Sequence, residues 1–253
     1  MTSFPLRSLA VAVAAFALFS AARAAEPAII AKARAYVGPD AVLDGLKSIH
    51  YSGAIMMPDP ADASKQTPSA MEMIIQKPYH NRVMATSPKL IEITALDSYD
   101  AWQRLQDAAD PAKWQQSLLG TDQIKRLRAN TWENLAFYRG IERVGGRVED
   151  QGPVTIEGIA CQKLAFIHAP GIIFYRFFEA ATGRLVLTET ENGSTIREQG
   201  EIKVNGIRFP KSVINSSKDA AGKTRTVTVV FDKITLNEVF PAKLFAVPSL
   251  GGK

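Results

Sequence analysis

The stretch VNGIRFPKSV, residues 204–213, decides how this chain is read. Asn205-Gly206 supplies the positive φ that a tight hairpin turn needs, and Phe209-Pro210 opens the next extended segment. The device recurs in IEGIACQKL (156–164) and EAATGRLVLTE (179–189). Gly158, Thr182-Gly183, Asn192-Gly193, Asn205-Gly206 and Ala221-Gly222 punctuate the C-terminal half at regular intervals, and the residues between them alternate with a period of two. From near Gly152 onward the chain reads as antiparallel strands joined by short turns.

Working toward the N-terminus, the same period reappears. In KSIHYSGAIMM (47–57), Ile49, Tyr51, Gly53 and Ile55 fall on one face, and His50, Ser52, Ala54 and Met56 on the other. SAMEMIIQKP, YHNRVMATS and KLIEITALD continue the series, separated by Pro, Ser and Asp. Before them, AIIAKARAYV has helical spacing and stops at Gly38-Pro39, and a second short helix is expected over Asp40–Leu46. Between the two strand series, Asp100 to Tyr138 is rich in helix formers and reads as a helical insert. Thr121 stands ready to cap its second piece, with Ile124, Leu127, Leu135 and Tyr138 near one stripe. That stripe suits ordinary core packing, or helices lying across the open side of a curved sheet. About ten or eleven strands are expected in all, more than a seven-stranded sandwich holds.

IIFYRFF (172–178) places Ile172, Phe174, Arg176 and Phe178 on one side and Ile173, Tyr175 and Phe177 on the other. Such a strand is covered on both faces, or one face lines an apolar cavity.

Arg7 followed by the apolar run Leu9–Phe19 and by Ala22-Arg23-Ala24 has the form of a cleavable signal peptide, residues 1–24. The run is short of the ~20 residues a membrane-spanning helix needs, which weighs against an uncleaved anchor. One domain, residues 25–253, and a periplasmic location follow as expectations. The net charge of +5, two arginines of which lie in the leader, is mild and dispersed, and gives no footprint for nucleic acid. The single cysteine, Cys161, forms no internal disulfide and reads as a packed thiol.

Catalytic patterns are missing from the sequence. His50, His80 and His168 are too scattered for a metal site, and neither a nucleophile elbow nor a phosphate loop occurs. Cys161 and His168, on one strand, are separated by roughly 20 Å at ~3.3 Å per residue. Glu72, Glu92 and Glu179 alternate with apolar neighbours and read as solvated. No catalytic residue, metal ligand or cofactor is assigned.

The order of segments resembles the LolA/LolB-like (outer-membrane lipoprotein-sorting) carrier superfamily. The resemblance lies in MEMIIQKPYHNRVMATS (71–87), ALDSYDAW (95–102), VTIEGIACQKLAFIHA (154–169), FFEAATGRLVLTETE (177–191), VNGIRFPKSVINSS (204–217) and FDKITLNEVFPAKLFAVPS (231–249). It implies a mainly β (α+β) fold, a strongly curved incomplete antiparallel barrel with an N-terminal helix and lid helices from the insert at about 100–138. It further implies a non-catalytic carrier of lipoprotein acyl chains or other lipids, monomeric, in transient contact with a membrane-bound donor or acceptor. An envelope sensor or protein-interaction module on the same fold is the alternative. The expected cavity wall is Ile55, Met57, Met71, Met73, Ile75, Phe166, Phe174 and Phe178, with Trp114, Leu118, Ile124 and Leu127 on the lid. Lys77, standing before Pro78 where the best-known carriers have an arginine, is the candidate lid latch; it lacks the planar fork of arginine.

Overall fold

The computed structural model describes residues 26–58, 66–219 and 221–249; the expected leader and its cleavage point lie outside them. Helix α1 (Ala28–Val37) buries Ile29, Ile30 and Ala33, and Gly38 ends it. Pro39 leads into α2 (Asp40–Asp44), a little shorter than expected. Six strands follow in a meander: β1 (Ser48–Pro58), β2 (Gln66–Gln76), β3 (His80–Thr86), β4 (Leu90–Asp97), β5 (Asp100–Asp107) and β6 (Trp114–Leu118). Helix α3 (Thr121–Leu135) comes next, then a 3-10 turn (Ile141–Val144). The second series is β7 (Arg147–Ile156), β8 (Ile159–Ala169), β9 (Ile172–Glu179), β10 (Leu185–Thr190), β11 (Thr195–Gln199), β12 (Ile202–Val204), β13 (Ile207–Phe209), β14 (Ser212–Lys218) and β15 (Thr224–Leu236).

Thirteen strands make one open antiparallel sheet in the order β6-β5-β4-β3-β2-β1-β15-β14-β11-β10-β9-β8-β7, while β12 and β13 form a separate hairpin. The fold is the expected incomplete barrel with more strands than the sequence suggested. The order explains where the helix goes. Each series is a meander, and the two meet at a central seam where β1 pairs with β15. The chain therefore leaves the first series at one outer edge, β6, and enters the second at the opposite edge, β7. Helix α3 makes that crossing over the concave face, packing on β2, β3 and β4.

The seam is also where the sheet bends. The register of β1 against β15 shifts between Ser52 and Gly53, and a Cβ at Gly53 would lie 1.9 Å from the carbonyl oxygen of Val230. Only glycine lets the strands approach there, and such a bulge increases local twist. The β12–β13 hairpin turns through Asn205 at φ 50° and Gly206 at φ 83°, both left-handed, as its geometry demands. Its buried Ile207 and Phe209 pack into the bowl, with Phe209 edge-on to Tyr51, ring centroids 6.1 Å apart.

The expected helical insert is a correction. Residues 100–118 form β5 and β6, and only Thr121–Leu135 is helical. Ala, Gln, Leu and Arg favour helix in isolation, but β5 pairs along its whole length with β4, and tertiary pairing overrides propensity. Alternation in AWQRLQD was the available signal. Trp102 turns to the convex face and donates its indole N–H to the carbonyl of Phe245 at 2.9 Å, pinning the C-terminal segment there. The cap of α3 also differs: Gly120 is the N-cap residue, and its backbone N–H is accepted by Gln123 Oε1 at 2.9 Å. Among the described residues, no helix is long and apolar enough to cross a membrane.

Candidate functional site: a cavity under the crossing helix

Because side chains alternate across a strand, every second residue of the sheet faces the bowl. Tyr51 and Ile55 from β1, Met71 and Met73 from β2, Val83 from β3 and Val229 from β15 do so, with Val213, Ile196, Thr188, Phe174 and Arg176 continuing around β14 to β9. Leu127, Asn130, Glu133 and Asn134 of α3 form the roof, and Phe137 and Tyr138 follow the helix down into the bowl. These residues enclose a cavity of about 430 Å³, within the range of ligand sites, roughly 300–1,000 Å³.

Of the expected wall residues, the structure brings Ile55, Met71, Met73 and Phe174 to the cavity, and Leu127 of the expected lid. Ile75, Phe166 and Phe178 point to the concave side but are corrections: each is fully buried in packed core. Alternation fixes a side chain's face, and the element packed above it fixes whether space remains. Met57 is 43% exposed and outside the cavity. Trp114 and Leu118 are corrections too. They lie on the edge strand β6, exposed by 43% and 69%, not on a lid. Ile124 is half-buried on α3 without reaching the cavity.

Lys77 is exposed, its side chain makes no hydrogen bond among the described residues, and burial of its surroundings lowers its pKa. Arg34 of α1, 1% exposed, does the fastening. Its Nη1 donates to the carbonyls of Phe137 (3.2 Å) and Ala136 (3.3 Å) at the C-terminal end of α3, where unpaired carbonyls favour a cation. Its Nε and Nη2 pair with Asp40 and Asp44, each at 2.6 Å. The guanidinium beside Asp40 holds that carboxyl below its ordinary value.

Sequence reasoning missed the polar side of the cavity. Glu133, on the buried face of α3, accepts from Arg176 Nη2 on β9, and its other oxygen lies 2.6 Å from His168 Nε2. The Arg176 guanidinium stands 4.8 Å from the Tyr138 ring and 5.3 Å from that of Phe166. Glu198, an exposed residue of β11, also lines the cavity; desolvation raises its carboxyl pKa, against an opposing pull from Arg176. Burial likewise raises the phenols of Tyr51 and Tyr138. The clue in the sequence was an arginine in the middle of IIFYRFF, since a buried charge needs a partner.

The other face of β9 is also covered. Phe177 packs with Cys161, Val186 and Leu187, and the Lys163 ammonium lies 4.5 Å from the Tyr175 ring centroid. Cys161 is buried and its thiol pKa is raised, consistent with a packed side chain. Among the described residues, no group of three or more His, Cys, Asp or Glu converges as metal ligands would.

Neither a protein-family model nor a curated protein matches this chain. Solved structures do. A LolA superfamily protein from Nitrosomonas europaea is 14% identical with a TM-score of 0.57, over 87% of this chain and 96% of that one. A domain assigned as an outer membrane lipoprotein-sorting protein, from Vibrio parahaemolyticus, is 8% identical with a TM-score of 0.54, covering 86% and 94%. A DUF1329 family protein from Desulfovibrio piger is 8% identical, also at 0.54, covering 87% and 96%. A chain-long match at these scores, joined to the open thirteen-stranded sheet crossed by one helix, gives this chain the LolA-like fold.

Proposed function

We propose that this chain is a non-catalytic periplasmic protein, exported by residues 1–24, that binds and carries the acyl chains of lipids or acylated lipoproteins. The observation that carries the reading is the roofed cavity of about 430 Å³, walled on the β1–β3 side by Ile55, Met71, Met73 and Val83. Hiding hydrocarbon from water contributes about 0.8 kcal/mol per methylene, so ten methylenes offer about 8 kcal/mol before ordering costs. Methionine adapts to chains of irregular shape. A carrier of this kind works by burial and release and needs no nucleophile. The lipoprotein-sorting assignment of the Vibrio parahaemolyticus neighbour agrees with the reading.

The test is native mass spectrometry of the chain expressed from Ala25, followed by solvent extraction. The expected result is a reproducible adduct of lipid or acylated-peptide mass that Met73→Trp removes while the melting temperature holds. Apo protein that also fails to bind a fluorescent fatty acid would overturn the carrier reading and favour a module that recognises another protein.

A further inference from the structure

The cavity is not uniform. Its β1–β3 side is apolar apart from Asn81 and the Tyr51 phenol, whereas its β9–β11 side presents Arg176 and Glu198 around Thr188. Thr188 pairs with Arg176 on one side and with Ile196 on the other, and Glu198 lies two residues farther along β11. Arg176 and Glu198 thus stand across one intervening strand, within roughly 10–12 Å of backbone, and their long side chains reach toward a common space.

Arg176 is 8% exposed and incompletely satisfied. Nη2 is used by Glu133, Nη1 makes no hydrogen bond among the described residues, and Nε, also without a partner, is itself closed off. A guanidinium carries five donors and accepts nothing, so what it lacks is an acceptor. The aromatic rings of Tyr138 and Phe166 flank it and hold its plane. Glu198 lines the same cavity from its exposed side, its carboxyl pKa raised by desolvation, so the arginine is the donor there. The other cavity arginine, Arg208, is paired with Glu201 at 2.5 Å. An incompletely paired guanidinium beside an apolar trough fits a head that only accepts.

We propose that the preferred ligand is an amphiphile with one long chain and an ionised carboxylate head, the carboxylate seated on Arg176 and the chain running toward Met73 and Ile55. This rests on the carrier reading above and adds the head-group chemistry to it. The fork geometry of arginine matches a carboxylate's two oxygens, and a hydroxyl of the same chain length uses neither the charge nor the second contact. The cavity of about 430 Å³ is also near the small end of ligand sites, which favours one chain over a bulky multi-chain lipid.

The experiment uses the chain from Ala25 with N-phenyl-naphthylamine as a neutral fluorescent probe, displaced in parallel by palmitate and by cetyl alcohol. Palmitate is expected to displace the probe at about 10- to 100-fold lower concentration, the value of a hydrogen bond to a charged partner. Arg176→Gln is expected to abolish that preference. Equal displacement by the two ligands in the wild type would overturn the head-group assignment while leaving the carrier reading standing. Preference for palmitate that survives in a folded Arg176→Gln would overturn it as well. Displacement by neither ligand would sink the carrier reading and this assignment with it. The wild-type comparison stands by itself should Arg176→Gln fail to fold.

Discussion

The corner where α1 and α2 meet the end of α3, and the polar wall of the cavity, each bury one arginine. Arg34, 1% exposed, has every guanidinium nitrogen engaged, by Asp40, Asp44 and the carbonyls of Ala136 and Phe137. Arg176, 8% exposed, keeps one nitrogen on Glu133 and leaves Nε without a partner. Depth of burial does not separate them. Satisfaction does: a buried donor set closed by the protein itself fastens elements together, and one left open beside a cavity is available to a ligand.

Losing the satisfied arginine should cost the fold most. Arg34→Met removes four hydrogen bonds and takes the guanidinium away from the carbonyls of Ala136 and Phe137, and a loss of about 3 kcal/mol is expected in urea unfolding. Asp40 and Asp44 stay solvated in that variant, which keeps the loss below the value for stranding a buried charge. Glu133→Gln is expected next, at about 2 kcal/mol by the same measurement. It removes the counter-charge of Arg176 and weakens the contact with His168.

Arg176→Met is expected to cost about 2 kcal/mol, since it leaves the buried Glu133 carboxylate with His168 as its one remaining partner. A loss for Arg176→Met as large as that for Arg34→Met would erase the distinction drawn here. The smallest effects are in pH. The folded-state pKa of Glu198 is raised, so above its ordinary value of 4.5 the unfolded chain gives up a proton that the folded chain holds, and stability falls as pH rises toward the folded pKa. Glu198→Gln is expected to flatten that decline in urea midpoints measured upward from about pH 5. Asp40 works oppositely. Its folded-state pKa is lowered, so the stability it contributes is present above its ordinary value of 3.8 and is lost as pH falls through the folded one, and Asp40→Asn should reduce the acid loss.

Much of the fold was legible. The stop of α1 at Gly38, strands β1 to β4 and the five C-terminal turn positions all follow from local signals, and Gly158, Gly183, Gly193, Gly206 and Gly222 all have positive φ. The segment at 100–118 was not legible by composition, because its helix-forming residues are held as strands by pairing with β4. In the site, alternation put Ile55, Met71, Met73 and Phe174 on the face that lines the cavity. It gave the right face but the wrong depth for Ile75, Phe166 and Phe178, which lie beneath packed elements and not beneath open space. Lys77 drew notice by its place before a proline, while Arg34 carried the fastening from a helix whose sequence shows only an amphipathic run.

Local sequence settles that this chain alternates, turns at defined glycines and forms antiparallel strands, because period and turn chemistry are properties of a few neighbouring residues. Only the tertiary structure decided that β1 would join β15 at the middle of the sheet. That pairing sets the two outer edges as the exit of one series and the entry of the next, so α3 must cross the concave side. The crossing leaves a cavity beneath it and brings Glu133 to Arg176, residues 43 positions apart that no local pattern connects.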